Sequence, residues 1–263
     1  MKRIIWILAL CGVIAILMFT AHQARADEEL TITVQENADG TTDRFYRFPY
    51  GVLAGRDKKR ERFRPDGQIA FITETIYNEQ NVPEQNITLT TDYNAMGNPT
   101  GTRRQVTILH TEEGRIRGRT KTIEAYNAAG QLVNTRNFTY DDLAREIQVE
   151  TIVNDRVTQV IRREYNAEGH LARTETLVDD KLTQLNLREY NAEGRLAKEE
   201  FFAMLRRSGK PDELISTGVR LTTYLENGRI DKTEDYRDGK LISTSKSTYD
   251  DEGRRTIETI PVV

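Results

Sequence analysis

A seven-residue segment, REYNAEG, occurs twice in this sequence, at 163–169 and at 188–194. Its core is a tyrosine, an Asn or Asp directly after it, and a glycine three residues further on. Related segments recur at 93–97, 126–130, 140–144 and 249–253, and the one at 140–144 ends in alanine instead of glycine. A repeat of this kind marks one supersecondary unit that is used many times, so it restricts the fold more than local propensity does.

Each repeat predicts a tight turn between two strands. The Asn or Asp starts a type I turn, and the glycine takes the left-handed conformation that closes a hairpin with a bulge. We assign six such residues to turn geometry: Gly130, Asn166, Gly169, Asn191, Gly194 and Gly253. Two-residue hairpin turns are predicted at Asn154-Asp155, Asp179-Asp180, Asn227-Gly228 and Asp238-Gly239. Ala144 replaces the glycine of its repeat, which either removes the left-handed turn or leaves it strained.

The stretches between these turns have the length of strands. Three of them have nine residues, 145–153, 170–178 and 229–237. The other four have ten residues, 131–140, 156–165, 181–190 and 240–249. No proline occurs from Gly101 to Lys210, as expected where strands pair on both sides. The chain is therefore predicted to be all-β, a long antiparallel meander of hairpin repeats that forms an elongated, twisted or coiled sheet of about 14 to 16 strands.

The side-chain alternation predicts a thin core. Val149 and Val153 share a face with Thr151, and the opposite face of the same stretch carries Glu146 and Glu150. With 30% charged residues and a mean hydropathy of −0.63, the sequence offers neither face enough apolar surface for a conventional sandwich core. Cross-strand pairs between neighbours must then supply most of the stability.

One segment also fits a helix. Residues 195–207, RLAKEEFFAMLRR, are rich in strong helix formers. However, Leu196-Ala197-Lys198 occupies the same place after its repeat as Leu171-Ala172-Arg173, which continues into the β-rich TETLV. The repeat favours a strand here, and a short helix at 199–207 is the alternative.

The repeats resemble a known family. YNAEGHL, YNAEGRL and YDDEGRR are similar to the tyrosine–aspartate (YD) repeats of Rhs-type bacterial proteins, whose unit centres on Y-[DN]-x-x-G-[RH]-L. YLENGRI (224–230) and YRDGKL (236–241) show a weaker resemblance to variant MORN repeats of antitoxin-like proteins. The resemblance covers residues 63–255 and implies a curling β-sheet. Rhs proteins often use it as a shell around a toxin, but this sequence includes no toxin or protease segment, so we do not expect the shell function.

The first 26 residues are typical of a secretory signal peptide. Lys2 and Arg3 precede an apolar run from Ile4 to Phe19, and Ala24-Arg25-Ala26 gives a cleavage site. The mature protein is predicted to begin at Asp27, to lie in the periplasm and to contain no further membrane span. The alternative is an uncleaved N-terminal anchor that leaves the chain facing the periplasm. Cys11, the one cysteine, lies in this segment, so no disulfide is expected.

Three segments follow from this: a signal peptide (1–26), N-terminal strands with a basic loop that cap the sheet (27–62), and a β-hairpin repeat domain (63–263). Without residues 1–26, which hold three basic residues and no acid, the chain has 35 basic and 41 acidic residues. The resulting net charge of −6 argues against nucleic acid as a partner.

Aromatic residues give only weak candidates for ligand binding. Phe45, Tyr46, Phe48 and Tyr50 interleave with arginines in RFYRFPYG, and the repeated tyrosines, Tyr165 and Tyr190 among them, could stack on sugar rings. The favoured interpretation is structural for both: the first group forms a strand that covers the sheet edge, and the tyrosines pack on their turns. The basic run GRDKKRERFR (55–64) is expected to be a solvated loop, with an anionic lipid surface as the alternative.

No catalytic, cofactor or metal site is predicted. His110 and His170 are sixty residues apart, and the sequence contains no nucleophile elbow and no phosphate-binding glycine loop. We expect a non-catalytic periplasmic scaffold that binds a protein or a cell-envelope glycan. The alternative is an immunity or antitoxin-like protein that neutralises an exported toxin.

Overall fold

The structure, a computed structural model, describes residues 30–207 and 211–261. The predicted signal peptide lies outside the described residues. Within them the chain contains strands, turns and loops, and no helix long and apolar enough to cross a membrane. The seventeen strands are β1 Thr31–Glu36, β2 Thr42–Arg47, β3 Asp57–Phe63, β4 Ile69–Tyr77, β5 Pro83–Tyr93, β6 Pro99–Leu109, β7 Thr120–Tyr126, β8 Leu132–Tyr140, β9 Glu146–Val153, β10 Arg156–Tyr165, β11 Leu171–Val178, β12 Lys181–Tyr190, β13 Leu196–Leu205, β14 Glu213–Tyr224, β15 Ile230–Arg237, β16 Lys240–Tyr249 and β17 Arg255–Pro261.

The strands form one antiparallel meander. Each strand pairs with the strand before it and the strand after it in the sequence, so β1 and β17 are the two edges and the sheet is not closed. The all-β meander is thus confirmed, with 17 strands where about 14 to 16 were expected. The seven strands predicted from 131 to 249 are all present, and their ends differ from the prediction by at most one residue.

Two kinds of turn connect the strands. In the repeat turns, such as Asn191–Gly194, the Asn191 N–H donates to the Arg195 carbonyl at 2.9 Å and the Gly194 N–H donates to the Asn191 carbonyl at 2.9 Å. The Asn191 side chain also accepts the Arg195 N–H at 2.8 Å, as the type I turn chemistry predicts. The two-residue turns have positive φ at both central residues: Asn154-Asp155, Asp179-Asp180 and Asp238-Gly239.

The prediction of a two-residue turn at Asn227-Gly228 is wrong. The Leu225 N–H donates to the Arg229 carbonyl and the Gly228 N–H donates to the Leu225 carbonyl, which is the hydrogen-bond pattern of the repeat turn. YLENGRI is therefore a repeat of the YNAEGRL type in which leucine stands in the asparagine position. The type of turn therefore follows from the spacing between the tyrosine and the glycine, and not from the Asn-Gly pair inside it.

The strand that the repeat favoured for the helix-like segment is confirmed: residues 196–205 form β13, because both neighbouring strands pair with it and override the local helix propensity. A different expectation is wrong. The basic run expected as a solvated loop forms strand β3, which lies between β2 and β4. Its alternating charges find partners on the adjacent strands, so they do not prevent strand formation.

The core is as thin as the composition predicts. The buried apolar side chains of the described residues are Val82, Val106, Ala144, Val149, Val160 and Leu185. Every contact between described strands joins strands that are consecutive in the sequence, so no second layer packs on either face. Stability must then come from nearest-neighbour pairs, as in other repeat arrays.

The turn at Asp141–Ala144 keeps the repeat geometry despite its alanine. Ala144 has a φ of 60°, and its N–H donates to the Asp141 carbonyl at 2.9 Å. A side chain in the left-handed region costs free energy that glycine avoids, so this turn is locally strained.

We expect Ala144→Gly to leave the free energy of unfolding unchanged or to raise it by up to about 1 kcal/mol, because relief of the strained φ opposes the loss of a buried methyl group. Urea denaturation of the variant and the parent chain measures the difference. A clear loss of stability would mean that the Ala144 methyl contributes more through packing than it costs in strain.

Candidate functional site

Six tyrosines connect neighbouring hairpins along one side of the sheet. The strands β4, β8, β10, β12, β14 and β16 all end in tyrosine, and each hydroxyl donates to the carbonyl of the first residue of the preceding strand. The six bonds, between 2.7 and 3.0 Å, are Tyr77 to Asp57, Tyr140 to Thr120, Tyr165 to Glu146, Tyr190 to Leu171, Tyr224 to Leu196 and Tyr249 to Ile230. We call the side where the even-numbered strands end, with the turns and loops that follow them, the tyrosine rim.

In four repeats the residue after the last turn position, which is Ala144, Gly169, Gly194 or Gly228, stacks on the tyrosine of the next repeat. Arg145 lies 4.5 Å from the Tyr165 ring centroid, and the His170 ring is stacked on Tyr190 at 4.7 Å. Arg195 and Arg229 take the same place, over Tyr224 and Tyr249. The structural role that we favoured for Tyr165 and Tyr190 agrees with this arrangement, in which each hydroxyl and one ring face are already in contact with protein.

The turn glycines make room for these stacked side chains. A Cβ at Gly194 would lie 2.8 Å from the Cε1 atom of His170, and a Cβ at Gly253 would lie 2.9 Å from an Arg229 nitrogen. A Cβ at Gly130, in contrast, would meet no atom within 4 Å. The sequence analysis missed this second role of glycine. The Arg or His directly after the glycine is the signal that could have indicated it.

Gly194→Ala should therefore destabilise the chain more than Gly130→Ala. The two glycines have nearly the same φ, 75° and 77°, so both variants incur about 1 kcal/mol of backbone strain. Only Gly194→Ala also displaces a stacked ring, and crowding of this kind costs about 1 kcal/mol or more in addition.

Urea denaturation of both variants, with and without His170→Ala, separates the two terms. In the His170→Ala background, the cost of Gly194→Ala should fall to that of Gly130→Ala. Equal costs in the parent chain would show that the glycine is required for φ alone.

The regular rim is interrupted at the end of β6. This strand ends in Leu109, and a ten-residue loop, 110–119, replaces the four-residue turn. Its base is closed by hydrogen bonds from the His110 N–H to the Arg119 carbonyl, 2.9 Å, and from the Gly118 N–H to the His110 carbonyl, 2.8 Å. His110 meets the Tyr140 ring edge-on, with centroids 5.9 Å apart.

An open cavity of about 590 Å³ lies beside this loop. Its lining comes from the loop, the β8–β9 turn and two rim tyrosines: Gly118, Arg119, Thr120, Tyr140, Ala144, Arg145, Glu146 and Tyr165. Of the candidates named from the sequence, Tyr165 is the one that lines it. Arg119 lies in no recognisable motif, and Arg145 stands at the Arg/His position of a repeat turn, so the sequence predicted a binding role for neither.

The cavity offers one free cation and several fixed polar groups. Arg145 is bound to Asp141 at 2.7 Å, and Glu146 is paired with Arg163. Arg119 is exposed and forms no ion pair with a carboxylate in the described parts of the chain. Burial raises the pKa of the Tyr140 hydroxyl, which therefore stays protonated and donates to Thr120 at neutral pH.

Strand β2, which carries Phe45 and Tyr46 of the N-terminal aromatic candidates, also carries a buried carboxylate, Asp43. Its side chain, 2% exposed, accepts hydrogen bonds from both Arg60 and Arg62, with nitrogen–oxygen distances down to 2.8 and 2.7 Å. Hydrogen bonds from Arg62, and then from Arg60 and Asn37, hold the pKa of Asp43 well below its usual range, although burial acts in the opposite direction. The sequence analysis missed Asp43, since one acid within a basic segment carries no motif.

The structure places the four aromatic candidates differently. Phe45 lies against the guanidinium groups of Arg47 and Arg60, at 5.0 and 5.3 Å, and the Tyr46 hydroxyl donates to Glu61 at 2.7 Å. Phe48 meets Tyr77 edge-on at 5.8 Å. Tyr50 is 59% exposed. Three of the four are thus packed within the sheet, and Tyr50 projects from the loop after β2.

Asp43→Asn should destabilise the protein by about 2 kcal/mol at pH 7. The value lies below the roughly 3 to 5 kcal/mol for a fully buried pair, because the two arginines are about one third exposed and water can solvate them. Because the folded-state pKa is lowered, the contribution is complete above the unfolded pKa of about 3.9 and is lost as the pH falls toward the folded value. The stability difference from the parent chain should shrink below about pH 4.

Asp92→Asn is the matched control. Asp92 also forms two hydrogen bonds with one arginine, Arg103, at 2.8 and 2.7 Å, but both side chains are substantially exposed. Its removal should cost much less than that of Asp43, because water solvates and screens an exposed ion pair. Denaturation at pH 7 and pH 3 measures both variants, and equal costs would show that burial of Asp43 adds nothing.

Comparisons with known proteins show no family. No protein-family model matches the chain, and no curated protein matches it either. Within the described residues, no group of three or more His, Cys, Asp or Glu side chains could hold a metal ion.

Solved structures similar to the chain include two from toxin complexes and one porin-like protein. The crystal structure of TcdB2-TccC3-Cdc42 gives a TM-score of 0.39 at 12% identity, over 85% of this chain and 16% of that one. The Photorhabdus luminescens Tc holotoxin pore gives 0.38 at 12% identity, over 85% and 15%. The porin-like protein from Bacteroides uniformis gives 0.33 at 10%, over 88% and 92%. The chain spans less than a fifth of the two toxin chains, and the scores are too low to support an argument about function.

Proposed function

We propose that this chain is an exported, non-catalytic β-repeat scaffold that binds a protein segment or a cell-envelope glycan in the periplasm. The observation that carries the proposal is the cavity at the break in the tyrosine rim. After β8, β10, β12, β14 and β16 the rim has short turns, and the arginine or histidine of one repeat covers the tyrosine of the next, whereas after β6 a longer loop leaves an open, polar space of about 590 Å³.

The lining of the cavity suits a polar ligand with an acidic group. The exposed guanidinium of Arg119 can bind a carboxylate or a phosphate with two parallel hydrogen bonds. Arg145 adds positive charge, partly offset by Asp141, and the edges of Tyr140 and Tyr165 offer aromatic surface beside it. Acidic envelope glycans and acidic peptide segments both have this chemistry.

The same lining supports binding better than catalysis. Among the described residues that form the cavity, the carboxylate of Glu146 is paired with Arg163. The Tyr140 hydroxyl already donates a hydrogen bond to the Thr120 carbonyl. A general acid or base needs a proton that it can exchange with substrate, and these groups are held in structural bonds. The immunity or antitoxin-like role stays a prediction from the sequence, and an adjacent toxin gene would favour it.

Retention of envelope components on the immobilised chain tests the proposal. The bait begins at Asp27, and the extract is used both untreated and after protease digestion, which separates a protein partner from a glycan. We expect Arg119→Gln to lower the retained amount about tenfold, since a charge-assisted hydrogen bond contributes about 1.5 to 3 kcal/mol.

Arg115→Gln is the matched control, because Arg115 is exposed on the same loop but does not line the cavity. A partner that both variants lose equally, or that neither variant loses, would contradict binding at the cavity. Circular dichroism should give the same strand-dominated spectrum for all three chains.

A further inference from the structure

Charge is distributed very unevenly along this chain. Residues 43–64 contain eight basic and three acidic residues, a net charge of +5, whereas the chain from Asp27 onward has a net charge of −6. Everything outside this segment therefore carries −11. The basic segment forms β2, β3 and the loop between them, so positive charge is concentrated on two strands near one end of the array, whereas residues 27–42, which include the edge strand β1, carry −5.

The three acids of the segment are all occupied by basic side chains. Asp43 binds Arg60 and Arg62, Asp57 binds Arg47 at 2.6 Å, and Glu61 binds Lys59 at 2.6 Å. These pairs account for four of the eight cations.

Two of the remaining cations lie at the C-terminal side of the β2–β3 loop. Arg56 and Lys58 are exposed and form no ion pair with a carboxylate in residues 30–207 or 211–261. Arg56 donates one hydrogen bond to the Asn81 carbonyl at 3.2 Å, which fixes it beside the loop and leaves most of its guanidinium in solvent.

The loop itself, residues 48–56, presents apolar side chains to water. Hydrogen bonds hold its base, from the Phe48 N–H to the Arg56 carbonyl at 3.1 Å and from the Gly55 N–H to the Phe48 carbonyl at 2.8 Å. At its tip Val52 is 78% exposed and Tyr50 is 59% exposed. A loop with a fixed base, an apolar tip and two exposed cations at its C-terminal side combines the two features that a bilayer surface recognises.

We infer that the β2–β3 loop, with Arg56 and Lys58, is a docking surface for a bilayer that contains anionic phospholipid. The two cations are attracted to the headgroups, Tyr50 lies at the interface, and Val52 reaches the acyl boundary. The rest of the chain has a net charge of −11 and is repelled by the anionic bilayer, so the chain docks through the β2–β3 loop. The cavity of the proposed function then lies further along the tyrosine rim.

The exposed tip favours a bilayer over a soluble polyanion. A polysaccharide or a nucleic acid would interact with Arg56 and Lys58 alone and would leave Val52 in water. A bilayer removes the apolar surface from water as well, so the two kinds of contact strengthen one another.

Vesicle sedimentation with the chain from Asp27, which retains every described strand, tests the inference. Vesicles of pure phosphatidylcholine are compared with vesicles that contain phosphatidylglycerol. We expect sedimentation with the anionic vesicles only. It should be lost as the salt concentration is raised toward 1 M, where the Debye length falls to about 3 Å. Arg56→Gln with Lys58→Gln should weaken this binding at least tenfold.

Arg115→Gln with Arg117→Gln is the matched control. These exposed arginines lie on the loop after β6, on the same rim but four strands away, about 19 Å at the usual strand spacing. They should leave vesicle binding unchanged.

Tyr50→Trp reports the depth of contact. The single tryptophan of the sequence is Trp6, so the chain from Asp27 has none and the new indole is the only one. Its fluorescence should shift to the blue on anionic vesicles, whereas the exposed Leu143→Trp on the same rim should not shift.

Three results would overturn the inference: no sedimentation with anionic vesicles, equal loss in the Arg115 and Arg117 variant, or sedimentation without a Tyr50→Trp shift. The last would identify a surface for soluble polyanions. None of them bears on the cavity at Arg119, which is tested by Arg119→Gln.

Discussion

The hydrogen bond from a strand-terminal tyrosine hydroxyl to the carbonyl of the preceding strand is the interaction on which this sheet depends. A single layer of 17 strands has no second layer to pack on, and few of its apolar side chains are buried. Each hairpin must therefore be fixed to the previous one locally. Tyr190, for example, binds the Leu171 carbonyl, stacks on His170 and lies beside Gly194.

This arrangement explains why tyrosine, glycine and a planar cationic or imidazole side chain recur together. The tyrosine supplies the bond and the ring face, the Arg or His of the previous repeat covers that face, and the glycine leaves space for it. Because each unit touches only its neighbours, the energy of the array is close to a sum of unit and interface terms. A local change such as alanine at position 144 is then tolerated, since it strains one turn and leaves the remaining units intact.

Much of the fold could be predicted from the sequence because turn chemistry is local. Asn166 and Gly169 fix their turn through their own backbone and side chain, so the strand ends on both sides were placed to within one residue. Segment 196–205 required the repeat to override helix propensity, and that comparison was also available in the sequence.

The parts that were missed depend on contacts between residues far apart in the chain. The strand conformation of the basic run follows from Asp43, which lies 17 and 19 residues from the arginines that it binds. His170 and Gly194 are 24 residues apart in the sequence and belong to different turns. The residue pattern of a single turn therefore does not predict their contact. The cavity arises where loop 110–119, which lies outside the repeats, meets the β8–β9 turn, so no single motif contains its lining.

The even-numbered strands that lack a terminal tyrosine indicate where binding is expected better than those that have one. Of the even-numbered strands, β2 and β6 are the two that do not end in tyrosine, since their last residues are Arg47 and Leu109. These same strands are followed by the two long loops of the tyrosine rim, 48–56 and 110–119. Without a hydroxyl to fix a short turn, the chain at β2 uses the Arg47–Asp57 pair and at β6 the edge-on contact of His110 with Tyr140. Both substitutes leave side chains free to contact other molecules, so in an array held together by repetition the interrupted units are where recognition is expected.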